Sequence, residues 1–331
     1  MKTIMLMNQK GGVGKTSLSI ELASYLGQKY KVLGVDLDGQ GHFGKYAGAI
    51  LERETNGCYS PMPTGNDVLQ GLCDIHDAIQ PIEQTMFLNK IVQSIHIATT
   101  KEIYAKKKKR IKSKSLTEPE KVESLLKELE KEQKGDINEI KRTTYEQTRK
   151  NPGFDLLIAS PKFGKADKIY NEFDEFFLLT QKLEEVSDEY DFVVIDCAPS
   201  RSILLSMAII AADYIIIPSD RDAGSLDGIL QMIEDYKTFK DKGMTMAKIL
   251  GIYLVRQENQ SVQRVIEEEI KEIAEENNIH VFNAFSRNLA QAKESRAMCQ
   301  CVGEYKPNSQ LAFDYYNFYL EVLDLLEKEG E

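Results

Sequence analysis

A chain of 331 residues has room for about two domains or for one large α/β domain. With 42% hydrophobic and 28% charged residues, its composition is that of a globular protein and excludes a wholly disordered or collagen-like chain. No run of about 18 apolar residues occurs, which excludes a membrane-spanning helix. The net charge of −10 argues against nucleic-acid binding over the whole surface and leaves room only for a local basic patch.

In chain order, Thr3 to Met7 is a short apolar run. A glycine-lysine loop follows it rather than a small-residue cleavage site, so it reads as a buried strand and not a signal peptide. Ser17 to Leu26 carries apolar residues at 18, 20, 22, 23 and 26, close to helical spacing, with Gly27 as its C-cap. Val32 to Val35 is a second strand. Strand, helix and strand at this spacing form a βαβ unit, which implies a parallel sheet covered on both faces.

The character changes over 86–150. Residues 101–114 hold eight Lys and Arg against one acid, Glu102. Thr117 and Glu120 form a capping box for a helix with Val122, Leu125, Leu126 and Leu129 on one face. Glu123–Lys127 and Glu130–Lys134 are i,i+4 pairs on its wet side, and Gly135 is expected to end it. The segment reads as a helical insertion with a polar linker on each side, set within a single domain spanning 1–331. The α/β pattern then resumes. Strands are expected at 154–159, 192–195, 214–217, 249–254 and 279–282, with helices at 225–240, 261–276 and 309–328. The fold class is therefore α/β, a doubly wound, mostly parallel sheet with a helical insertion.

Between the first strand and helix lies Gln9-Lys10-Gly11-Gly12-Val13-Gly14-Lys15-Thr16-Ser17. Glycines let backbone N–H groups face phosphate oxygens, and the helix N-terminus adds partial positive charge. Gly11, Gly12, Val13, Gly14, Lys15, Thr16 and Ser17 are thus the candidate nucleotide-binding residues of a P-loop NTPase fold. Lys15 reaches the β- and γ-phosphates and Thr16 offers its hydroxyl to Mg²⁺. The strict P-loop pattern fails at Gln9, and a second lysine, Lys10, stands inside the loop. Asp36 and Asp38 end the second strand, and Asp196 ends the run Phe192 to Ile195. Strand carboxyl ends are where an open parallel sheet gathers ligands. Thr16, Asp38 and Asp196 are the candidate metal-site residues. Asp38 is preferred to Asp36 for orienting an attacking water, because it lies further out of the sheet, before Gly39-Gln40-Gly41.

The five cysteines, Cys58, Cys73, Cys197, Cys299 and Cys301, show no C-x-x-C and read as free thiols in a reducing cytoplasm. Cys299-x-Cys301 matches no common zinc spacing.

Lys10-Gly11-Gly12-Val13-Gly14-Lys15-Thr16 resembles the deviant Walker A loop of the ParA/MinD ATPases. Asp36-Leu37-Asp38-Gly39-Gln40-Gly41-His42 is similar to their D-x-D-P-Q-G-N segment, with Gly39 in place of proline. Tyr190 to Ser200, Ala211 to Pro218 and Glu304 to Ser309 resemble three further segments, and the likeness covers about 1–85 and 151–328. The resemblance implies ATP and Mg²⁺ as ligands. It also implies a homodimer formed on ATP binding, in which Lys10 reaches the partner's phosphates, making Lys10, Lys15 and Asp38 the catalytic set. Slow, partner-stimulated hydrolysis and a cytoplasmic, nucleoid-associated location follow from the same likeness.

Within the family, partition members bind DNA nonspecifically and answer to a centromere-binding, ParB-like activator. Arg287 matches one of their basic positions, whereas Ala290 stands where many carry a second arginine. Lys293, Arg296 or the block 106–114 could substitute. The MinD branch uses a basic C-terminal amphipathic helix. Here the polar face of 315–329 is acidic, so no membrane contact is expected and the helix should pack on the sheet. Cys197 reads as a small buried residue rather than a ligand of the kind that the nitrogenase iron-protein branch uses for its cluster. DNA segregation or cargo positioning on the nucleoid is the leading function. The alternative is a nucleotide switch whose insertion docks a protein partner without DNA transport.

Overall fold

The computed structural model describes residues 1–55, 58–114, 119–143, 151–257 and 261–330. The chain begins β1 (Lys2–Leu6), α1 (Lys15–Leu26), β2 (Val32–Asp36), α2 (His42–Ala47) and a hairpin, β3 (Glu52–Thr55) with β4 (Cys58–Pro61). Next come two short helices, α3 (Gly65–Leu69) and α4 (Ile75–Ala78), then β5 (Ile79–Glu83), α5 (Leu88–Lys114), α6 (Pro119–Thr143) and β6 (Gly153–Leu157). The second half runs α7 (Ala166–Ile169), α8 (Leu178–Glu184), β7 (Phe192–Asp196), α9 (Ile203–Ala211), β8 (Tyr214–Ser219), α10 (Ala223–Asp241) and β9 (Lys248–Gln257). It closes with α11 (Ser261–Glu276), β10 (Val281–Arg287), α12 (Gln291–Ala297), α13 (Val302–Tyr305) and α14 (Gln310–Lys328).

Eight strands form one sheet in the order β10-β9-β8-β1-β7-β2-β6-β5. All its pairings are parallel except β5 on β6. Parallel strands need crossovers, and the helices supply them on both faces, so the core has two layers. One layer holds Leu18, Leu22, Phe43 and Phe318 from α1, α2 and α14, with Phe87 just before α5. The other holds Leu179, Met207, Ile229 and Ile270 from α8 to α11. This is the doubly wound α/β class expected from the sequence.

Ten of the twelve residues of α1 are buried, because the helix lies between the sheet and the C-terminal helices. That position explains why its apolar residues do not follow one stripe. The chain leaves α1 at Gly27, where a Cβ would come within 2.3 Å of the Gly153 carbonyl oxygen; only glycine lets the two backbones approach so closely.

Several expectations are corrected. The basic stretch is not a polar linker: it is the second half of the 27-residue helix α5. Its apolar anchors are sparse (Leu88, Ile91, Val92 and Tyr104 are buried), and lysine's good helix propensity carries the rest. Gly135 does not end α6, which runs on to Thr143. Tyr104 Oη donates to Asp136 at 2.7 Å, tying the residue after that glycine to the neighbouring helix. Glu130 turns to Lys108 of α5 (2.9 Å) rather than pairing with Lys134. Of the expected apolar face of α6, Leu129 is buried and Leu125 is exposed. The Thr117–Glu120 capping box and the Glu123–Lys127 pair lie outside the described residues and side chains.

The strand expected at 279–282 is shifted to Val281–Arg287. Its outer N–H groups are taken by carboxylates of α14. Glu321 accepts from Asn283 and Ala284 (both 2.8 Å), and Asp314 accepts from Arg287 (3.1 Å). The acidic face of α14 is thus used against the sheet, with Phe318, Tyr319 and Val322 buried beneath it. Edge strand β5 and the β3–β4 hairpin were not anticipated. Among the described residues no helix is long and apolar enough to cross a membrane.

Candidate functional site

β1 delivers the chain to the carboxyl edge of the sheet, and Gly12 (φ 74°) and Gly14 (φ 92°) turn it in the left-handed region before α1 starts. These are the two loop positions where a side chain would strain the backbone. Val13 between them is fully buried and anchors the loop. The first-turn N–H groups of α1 have no side-chain cap, so they remain as donors for an anion.

Lys15 is buried, and its Nζ donates to the Lys10 carbonyl (3.0 Å). Burial lowers its pKa, and the charges of Asp196 and Asp38 work against that loss. Asp196, at the end of β7, is paired in register with Leu6 on one side and Asp36 on the other. One of its oxygens accepts from Ser19 Oγ (2.9 Å), while Oδ2 is buried without a hydrogen-bond partner. Burial pushes its pKa up to about 6, opposed by the Thr16 and Ser19 hydroxyls and by Lys15. An orphaned carboxylate oxygen beside the Thr16 hydroxyl suits Mg²⁺ or a water bound to it. Mg²⁺ takes only one or two protein ligands and fills its shell with phosphate and water.

The two carboxylates after β2 have separate tasks. Asp36 is fully buried and accepts N–H bonds from Asp38 (3.0 Å), Phe43 (3.1 Å) and Gly44 (3.2 Å). Burial, and then the like charge of Asp196, hold its pKa well above the carboxylate range. It braces the turn into α2. Asp38 is half-buried and accepts one bond, from Gln40 N–H (3.0 Å). It lines a cavity of about 670 Å³ together with Gly12, Gly14, Thr16, Pro199 and Arg296. Lys15, Thr16, Ser17 and Asp38 therefore meet in one cavity, and Asp196 lies beneath it.

Lys10 does not point there. Its Nζ donates to Asp220 (2.9 Å), Asp222 and Ser225 Oγ (3.2 Å) at the start of α10. Burial lowers its pKa, but the bonds to Asp222 and Asp220 outweigh that and raise it. Arg256, at φ 52°, shares Asp220. The acids of this cage were not picked out from the sequence; they lie 210 residues or more from Lys10 and carry no local pattern.

The basic positions near β10 are also engaged. Arg287 is paired with Asp314, whose side chain is only 5% exposed. Arg296 turns towards α1, where it donates to Ser17 Oγ (3.3 Å). Lys293 remains exposed. On α5, Lys107 and Lys108 pair with Glu132 (3.5 Å) and Glu130 (2.9 Å), whereas Lys106, Lys109 and Lys112 are exposed with no acidic partner among the described residues. Cys197 is buried, Cys299 is exposed, and the buried Cys301 accepts from Glu304 N–H (3.3 Å).

Comparison with known proteins gives the family of the chain. The sequence profile of the AAA domain family matches residues 1–129 and 112–252. The chromosome-partitioning ATPase Soj of Treponema pallidum is 23% identical over 97% of this chain and 97% of its own length. The structure of apo McdA from Cyanothece superimposes with a TM-score of 0.69 at 16% identity, covering 97% of this chain and 99% of that one. A putative plasmid partition protein of Borrelia burgdorferi bound to AMPPNP gives 0.62 at 17% identity, covering 99% of each chain. With the profile matched along most of its length and a lysine-bearing Walker loop at its head, the chain belongs to the AAA domain family and, within it, to the ParA-type partition ATPases.

Proposed function

We propose that this single ATPase domain, with 86–150 as an inserted segment, binds ATP in the cleft and hydrolyses it slowly to drive a cycle of DNA segregation or cargo positioning. The convergence of Lys15, Thr16 and Asp38 on one cavity, above the orphaned oxygen of Asp196, carries this reading. Loop amides and Lys15 hold the β- and γ-phosphates, and Thr16 and Asp196 hold Mg²⁺. Mg²⁺ held by Thr16 and Asp196 would supply charge that neutralises the phosphates. Asp38, with one oxygen uncommitted, orients the water that attacks the γ-phosphorus, and ADP leaves. Lys10 exchanges its own chain's acids for a partner's phosphates when two copies close on ATP. A ParB-like activator accelerates the step, and the protein works in the cytoplasm on the nucleoid.

Nonspecific DNA contact is assigned to α5, because Arg287 and Arg296 are engaged within the fold. Replacing Lys106, Lys109 and Lys112 with glutamine should lower the slope of log K against log salt by about two or more, at about 0.9 per lost contact. An unchanged slope with intact ATP-dependent DNA binding removes the insertion from the DNA surface. The nucleotide reading itself is tested with Asp38→Ala, which should bind ATP and dimerise by light scattering yet hydrolyse it at least about a hundredfold more slowly in a single turnover, the lower end of one general-base contribution. Unchanged turnover assigns the role elsewhere.

A further inference from the structure

Arg296 stands on α12, and its Nε donates to the Ala292 carbonyl (2.7 Å), which fixes the base of the side chain. Its guanidinium carbon lies 5.7 Å from the centre of the Tyr46 ring. Tyr46 in turn stacks on His42, with centroids 5.3 Å apart and planes 7° from parallel. Nη1 donates to the hydroxyl of Ser17, the third residue of α1, and Nη2 has no hydrogen-bond partner among the described residues. One turn along α1, the buried Glu21 presents an unpartnered Oε2. Arg296, Tyr46 and His42 line the same cavity as Gly12, Gly14, Thr16 and Ser17.

This is a preorganised cation at the mouth of a phosphate loop. In a P-loop the lysine side chain serves the β- and γ-phosphates, so the first-turn donors beyond it are left for the phosphate nearest the nucleoside. Ser17 occupies that position, and Arg296 is bonded to Ser17. A planar guanidinium matches two phosphate oxygens at once, and an aromatic face beneath it limits the freedom lost on binding.

We propose that Arg296, held over the Tyr46 ring, is a nucleotide-binding residue that grips the α-phosphate of a nucleoside di- or triphosphate beside Ser17. Tyr46 is its positioning residue. The proposal rests on the reading of the cleft as a nucleotide site, and it changes how a residue first considered for DNA is assigned.

Calorimetric titration of ADP and of a non-hydrolysable ATP analogue, each with Mg²⁺, tests it. Arg296→Gln should weaken both ligands by the same factor, about tenfold or more, the size of a lost charge-assisted hydrogen bond. Arg296→Lys keeps the charge without the fork and should fall between. Tyr46→Ala should lose part of the affinity for both ligands, and Tyr46→Phe should recover it. A loss confined to the triphosphate places Arg296 on the γ-phosphate and overturns the proposal. Unchanged affinity with a loss of ATP-dependent DNA binding overturns it in favour of a DNA contact. Failure of the wild-type protein to bind either nucleotide is a different result, and it rejects the nucleotide reading as a whole.

Discussion

Glu21 is a carboxyl group buried in the middle of a helix, and its cost can be worked out. Burial raises its pKa from 4.5 to about 8, against the pull of the Val302 and Gly303 N–H groups and of Arg296. In the unfolded chain it ionises near the ordinary value. A folded pKa raised above the unfolded one means that stability is complete below the unfolded value and is lost as pH rises towards the folded one. The window is therefore about pH 4.5 to 8. A shift of roughly 3.5 units at 1.36 kcal/mol each sets a ceiling of about 5 kcal/mol on the loss. Glu21→Gln keeps an oxygen for the Val302 N–H (2.8 Å in the wild type) and cannot ionise. In urea denaturation, the two proteins should agree to within about 1 kcal/mol at pH 5, and the variant should be more stable by about 3–5 kcal/mol at pH 8.5. A gap that does not change with pH refutes the burial argument. A gap of opposite sign would mean that Glu21 is held ionised by Arg296.

Lys15→Ala should abolish measurable nucleotide binding in the same titration format, because it removes the buried ammonium to which the proposed site assigns the β- and γ-phosphates; retained affinity would contradict that. Asp220→Asn removes the more buried of the two acids holding Lys10. It should tighten ATP-dependent dimerisation about tenfold in sedimentation, since less is lost when Lys10 leaves its own chain; an unchanged dimer constant disconnects the cage from assembly. Gly27→Ala forces a Cβ to 2.3 Å from the Gly153 carbonyl. It should destabilise the fold by about 1–3 kcal/mol without altering the site's ligand preference, as read from denaturation midpoints.

The phosphate loop and the carboxylates after β2 and β7 were legible because each depends on a short stretch: an apolar strand, then glycines or an acid at its end. Four of the later strands were readable for the same reason, as continuous apolar runs of a doubly covered sheet. What was not legible depends on distant partners. Arg296 meets Ser17 across 279 residues, and nothing near Arg296 separates it from an exposed cation. Strand β5 is short, antiparallel and interrupted by Pro81, so it lacks the apolar run of its neighbours. Helix α5 was mistaken for a linker because its charges hide the period and only its first turns and Tyr104 are buried.

The two ends of the sheet are both blunted. At one end Pro81 interrupts the donor row of β5. At the other, Glu321 and Asp314 occupy the outward amides of β10. Strand addition from one molecule to the next is therefore disfavoured, and open-ended fibre growth has no template at either rim. The protection at β10 is ionic: the bonds to Asn283 and Ala284 hold the Glu321 carboxyl below its ordinary range against the effect of burial. Acidification through that range strips the rim of its cover, so acid aggregation should start at this strand while the central strands still hold.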